Sequence, residues 1–158
     1  MAPQRSKINE IDQDDCLEMI GNCASTNFRK ASRRVTQLFD QILAPIGVRS
    51  TQLTILLAAQ VLGPCGLGQL ARELVMDRST VTRNIQPLVT QGFLHVSGKT
   101  GRTGKTLVVT KAGNEALLKA IPYWKKAQAE LLSRIGQDRW DRVKVDLIEV
   151  VNAAQAAG

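Results

Sequence analysis

Histidine is almost missing from this 158-residue chain; His95 stands alone. No spacing places it beside a serine or cysteine, so a hydrolytic triad or a thiol enzyme has no support. Three cysteines, an odd number, do not build a disulfide framework. No Cys/His cluster has metal-ligand spacing. There is no phosphate-binding P-loop, no GxGxxG and no GxSxG. These absences weigh against an enzyme and leave no metal or cofactor to assign. No run of about 18 apolar residues exists, so no transmembrane helix is expected. The N-terminus lacks the apolar core of a signal peptide, which makes the cytoplasm the expected compartment and the membrane no partner.

What is present is positive charge. The net charge is +7, and it is unevenly placed. Residues 1–18 hold Glu10, Asp12, Asp14, Asp15 and Glu18 against Arg5 and Lys7, a net of −3, so the other 140 residues carry +10. A basic body of that kind favours a polyanion, nucleic acid or an anionic membrane. At this length one domain, 1–158, with a real core is expected.

The stretch from Asp77 to Gly92, DRSTVTRNIQPLVTQG, concentrates the signal. Val81, Ile85, Leu88 and Val89 fall at i, i+4, i+7 and i+8, one apolar stripe. Ser79, Thr80, Thr82, Arg83 and Gln86 lie off that stripe, with no acid after Asp77. Short hydroxyls, arginine and glutamine suit phosphate oxygens and base edges. Asp77 is the expected N-cap. Just before, Leu67, Leu70, Ala71 and Leu74 mark a partner helix, and Val75-Met76 join the two. Helix, tight turn, helix is a helix-turn-helix. Phe93, Leu94 and Val96, a Gly/Lys/Arg/Thr run, then Leu107 to Val109 read as two strands of a β-hairpin wing.

The remaining chain supplies helices on either side. Residues 1–13 read as a loose tail. Leu17, Ile20, Ala24, Ala31, Val35, Leu38 and Ile42 mark one helix from about Asp14 to Ala44, with Arg29, Lys30, Arg33 and Arg34 at its middle. Ser50 or Thr51 caps a second helix to Leu62 that is apolar nearly all round, hence buried. Thr110 caps a helix with its seam at Ala116, Ala120, Trp124, Ala127 and Leu131, kinked at Pro122. Gly136 ends it. Trp140, Val143, Leu147, Val150, Val151 and Ala154 stripe the last helix. The expected fold is mainly α: a winged helix-turn-helix over 50–110, with 14–44 and 111–156 as dimerisation helices. Apolar seams of this length are most economically buried against a second copy, a two-fold dimer. Such a dimer sets two reading helices about one turn apart on a pseudo-palindromic duplex.

The order of elements, with GQLARELVMDRSTVTRNIQPLVTQGFL (68–94) and LVVTKAGNEAL (107–117), resembles the MarR family of multiple-antibiotic-resistance regulators, over about Cys16 to Ala156. The resemblance implies a homodimeric DNA-binding regulator, usually a repressor, released by a small ligand or by thiol oxidation. By position it implies that Arg78, Ser79, Thr80, Thr82 and Arg83 meet bases and phosphates, and that the wing tip spans Lys99 to Lys105. The family often carries Asp-x-Arg in the wing; here Gly101 and Thr103 occupy those places. Arg102, Lys99 and Lys105 are still expected on DNA, from a less braced wing.

Two switches stay open. Cys16 and Cys23, seven apart, share one face of the expected first helix, and Arg29 and Lys30 lie near enough to favour a thiolate. In the register set by Gln52, however, the family's sensing cysteine falls on Ser25, not Cys23. The other switch is a small molecule, often an aromatic carboxylate in the resembled family. Cys23, Asn27, Phe28 and Ala31 would line its pocket, with Arg34 or Arg49 for the carboxylate. A winged helix used only for protein contacts is the remaining alternative, and it would want a neutral or acidic reading helix.

Overall fold

A computed structural model describes residues 11–98 and 105–156. The elements in order are α1 (Gln13–Asn22), α2 (Ala24–Leu43), a 3-10 turn (Ala44–Ile46), α3 (Ser50–Leu62), β1 (Cys65–Gly66), α4 (Leu67–Glu73), α5 (Arg78–Thr90), β2 (Leu94–Ser97), β3 (Thr106–Val109), α6 (Lys111–Ile135) and α7 (Gln137–Ala156). The fold is the mainly α winged helix-turn-helix that the patterning implies. Two compact units divide it, residues 1–35 and 36–158.

The first unit corrects one expectation. The helix expected over 14–44 is two helices, broken at Cys23, whose backbone is extended (φ −67°, ψ 112°). The cause is local. The Asn27 side-chain amide donates to the carbonyl of Gly21 (2.8 Å), which a continuous helix would pair internally, and shares the Cys23 carbonyl (3.1 Å) with Asn27's own backbone amide (3.0 Å). Cys16 and Cys23 therefore do not share a face of one helix. Leu17, Met19, Ile20 and Phe28 are all exposed, so the described part of this unit encloses no core of its own.

The second unit has a core. Ile55, Leu56 and Ala59 of α3, Leu70 and Ala71 of α4, and Val81, Ile85 and Leu88 of α5 bury together with Cys65, Leu94 and Leu107 of the sheet. The sheet runs β1-β3-β2, both pairings antiparallel, with Leu94 opposite Val109 and Val96 opposite Leu107. β1 pairs Cys65 with Leu107. Two residues are too few to show strand periodicity, and Cys65 is buried on the sheet. A second cluster gathers Leu43, Val48, Leu53 and Ala120.

Two local details of α3 depart from the expected pattern. Neither Ser50 nor Thr51 caps α3. Asp40 reaches across from α2 to accept from the Ser50 amide (2.7 Å), and Gln52 Oε1 accepts from the Arg49 amide (2.9 Å). Nor is α3 buried all round: Leu57 and Val61 stand open to solvent. Pro87 lies within α5, which continues past it to Thr90. At the foot of α6, Thr110 Oγ1 donates to the Gly92 carbonyl (2.6 Å) and accepts from the Gly113 amide (3.1 Å). A Cβ on Gly113 would collide with the Phe93 carbonyl oxygen, so only glycine lets α6 approach the link between α5 and β2 this closely.

The turn between α4 and α5 is a helix-ending motif with an unusual occupant. The Met76 amide donates to the Ala71 carbonyl (2.9 Å) and the Val75 amide to the Arg72 carbonyl (3.2 Å). Val75 sits at φ +52°, a place ordinarily taken by glycine. A left-handed L-residue costs roughly 1–2 kcal/mol, while glycine costs about 0.5–1 kcal/mol in chain entropy. Val75→Gly therefore raises unfolding stability by about 0.5–1 kcal/mol in urea titration. A lower midpoint would show that the valine side chain contributes more here than the backbone strain removes.

Candidate nucleic-acid interface

α5 begins where Asp77 gathers its first turn. Asp77 Oδ1 accepts from the Thr80 amide (2.7 Å) and the Ser79 hydroxyl (2.5 Å), and Oδ2 accepts from the Thr80 hydroxyl (2.7 Å). The Ser79 hydroxyl, then the Thr80 hydroxyl and amide, hold the Asp77 carboxyl well below the usual carboxylate range. The Thr82 hydroxyl is likewise engaged, donating to the Arg78 carbonyl (2.8 Å). All three hydroxyl protons are therefore committed inside the helix. What Ser79, Thr80 and Thr82 still offer outward is oxygen lone pairs and methyl groups, suited to base amino groups and thymine methyls. Donors toward phosphate must come from Arg78, Arg83 and Gln86, all exposed.

Arg78 has a particular seat. Its guanidinium lies over Gly68 of α4, where an added Cβ would come within 3.5 Å of Nε. Thr82, Arg83, Gln86, Pro87, Thr90 and Gln91 make one continuous outward face of α5. Opposite them, Val81, Ile85 and Leu88 are buried, so the helix is fixed with its polar side out.

The wing is only partly in view. Lys105 is exposed beside β3. Lys99 and Arg102, with Gly101 and Thr103, lie outside the described residues. Of the residues expected to serve a switch, Cys23, Asn27, Phe28 and Arg34 belong to the first unit and Arg49 to the second. Asn27 is occupied in stapling the helix break. Cys23 is exposed and sits immediately before α2. The Thr26 hydroxyl, then the Thr26 amide, lower its thiol pKa. Cys65 is the opposite case, raised by burial.

Two hollows were not read from the sequence. One is a cleft of about 590 Å³ between the start of α3 and α5, lined by Arg49, Thr51, Gln52, Arg83, Asn84 and Gln91 among others. The other, of about 210 Å³, is lined wholly by apolar groups of α3 and α6: Leu53, Leu57, Leu117, Ala120, Ile121 and Trp124. Among the described residues no group of three His, Cys, Asp or Glu side chains is placed to hold a metal. Among the same residues no single helix is long and apolar enough to cross a membrane.

Comparison with known proteins gives this geometry a family. The MarR family profile matches residues 48–101. The transcriptional regulator MosR of M. tuberculosis, solved in complex with DNA, is 32% identical; the match covers 86% of this chain and 98% of that one, with a TM-score of 0.77. The chain belongs to the MarR family. MarR of E. coli, solved with operator DNA, shares the fold at 16% identity, over 89% of this chain and 99% of that one (TM-score 0.74). BpsR of Bordetella bronchiseptica, whose DNA binding is regulated by 6-hydroxynicotinic acid, does so at 18% identity, over 84% and 96% (TM-score 0.73). No curated protein sequence matches the chain. MarR proteins are transcription regulators, not enzymes, and the site built around α5 carries no reacting group.

The Asp77 cap predicts a pH dependence. Its folded pKa is depressed, so its contribution is present above the unfolded value of about 3.9. That contribution is lost as pH falls below that value toward the folded one. Asp77→Asn keeps a capping side chain but carries no such titration. The stability gap between the two proteins, measured by urea midpoints, narrows from pH 7 to pH 3. A gap independent of pH would remove Asp77 from the acid limb.

Proposed function

We propose that the chain is a homodimeric repressor that lays α5 of each copy into successive grooves of a pseudo-palindromic duplex and is released by a small ligand. The observation that carries this reading is the outward face of α5: arginine, threonine and glutamine, without an acid beyond the self-satisfied Asp77. The basic body supports it, as does the DNA held by MosR in its solved complex. A protein-contact module has no use for such a face. Chromosomal DNA as partner goes with a cytoplasmic location.

Dimerisation is supported by exposed apolar groups at both ends of the chain. Leu17, Met19 and Ile20 on α1, and Val145, Leu147, Ile148, Val150 and Val151 on α7, need cover that one copy does not give them. Release by an aromatic or other apolar ligand is supported by the hollow at Leu57, Ile121 and Trp124, whose lining offers no hydrogen bond.

Thiol sensing is the second reading, favoured by the exposed Cys23 and its lowered pKa. If it holds, peroxide releases DNA from the wild-type protein but not from Cys23→Ser. A peroxide response kept by the variant would assign it elsewhere.

The main reading is tested by gel shift with DNA from the chain's own upstream region against excess unrelated duplex. The complex survives the competitor, and Arg83→Ala weakens it by about 1–3 kcal/mol if Arg83 meets a base, or lowers the salt slope if it meets a phosphate. Equal binding to every duplex would end the sequence-specific claim.

A further inference from the structure

The cleft between α3 and α5 has no place in the reading above, and its lining is distinctive. Arg49, Thr51 and Gln52 form one wall, and Arg83, Asn84 and Gln91 the other. No carboxylate lines it. Asp40, on α2, is turned to the Ser50 amide. Neither Arg49 nor Arg83 is in an ion pair among the described residues. An open, polar, doubly cationic cleft is the wrong chemistry for an apolar effector, which wants the dry lining found at Trp124.

We propose that this cleft is a second seat for duplex DNA, taking one backbone phosphodiester beside the groove that α5 reads, with Arg49 and Arg83 as the charged donors. Continuity argues for the polymer over a free anion. Arg83, Pro87 and Gln91 line both the cleft and the outward face of α5, so a strand lying on that face runs on into the cleft. Two arginine forks on facing walls suit the two free oxygens of a phosphodiester. Arg49 thus becomes a register-setting contact rather than part of an effector pocket. Contacts of this kind hold a protein on the duplex without reading its sequence. The proposal rests on the DNA-binding reading and assigns a residue to it.

The experiment separates the two. Fluorescence anisotropy measures binding to a duplex from the chain's own upstream region and to an unrelated duplex, from 50 to 300 mM KCl. Arg49→Ala lowers the slope of log affinity against log salt by about 0.9 for each copy on the duplex, and weakens both duplexes alike, roughly fivefold per copy at 0.15 M salt. The ratio between duplexes stays at the wild-type value, and Arg49→Lys restores the slope. Gln91→Glu, which sets a negative charge on the opposite wall, also weakens both duplexes and serves should Arg49→Ala fail to fold. A wild-type slope in Arg49→Ala, with the wild-type protein binding DNA normally, overturns the proposal and leaves the DNA reading standing. Competition by inorganic phosphate that Arg49→Ala abolishes, without any change in slope, overturns it in favour of a free-anion site. A wild-type protein that binds neither duplex overturns both.

Discussion

The burial of three side chains on α5 fixes everything the molecule presents to a partner. Val81, Ile85 and Leu88 sink among α3, α4 and the sheet, and burying a side chain of this size contributes about 1.5–3 kcal/mol. Rotating α5 by one residue would turn that stripe toward water and bring polar neighbours, Thr82 and Gln86 or Thr80 and Asn84, toward the core, so the helix has one setting. The outward face is therefore a consequence of packing. Its chemistry was free to vary, and here it is arginine, threonine and glutamine. Thr110 and Gly113 seat the start of α6 on the link that follows α5, at Gly92 and Phe93, so closely that no side chain fits at 113.

Within that face the first turn divides the labour. Asp77 collects two hydroxyl protons and one amide, which stiffens the start of the helix and leaves oxygens rather than protons pointing outward. Asp77 keeps its negative charge, but its oxygens are turned into the helix's own first turn, where three donors solvate them. The arginines are left as the cationic donors of α5. One of them, Arg83, serves both the reading face and the neighbouring cleft.

The parts legible in the sequence were those written as periodicity. The stripes of α4 and α5, the alternation in the wing, the Thr110 cap and the stop at Gly136 all follow from local spacing and are where the structure puts them. What escaped depends on contacts that spacing does not encode. Asn27 folds back on two carbonyls and splits a helix whose apolar repeat runs straight through the break. Asp40 caps α3 from ten residues away, displacing the two hydroxyl residues that local rules favour. β1 is two residues long and exists only because β3 offers it an edge. The cleft joins Arg49 to Arg83 across 34 positions, so no window on the sequence contains it. The family signature was legible for the same reason as α5. Turn, cap and stripe occupy one unbroken stretch, and the matched region 48–101 is centred on it.

A rigid helix with one cationic face accounts for an interaction with DNA; in the proposed dimer, two such helices would account for a defined site. Hydroxyl-radical footprinting of the wild-type protein on its upstream DNA tests that arrangement most directly. Two protected patches whose centres lie about ten base pairs apart are predicted. A single patch, or diffuse protection along the whole duplex, would contradict it.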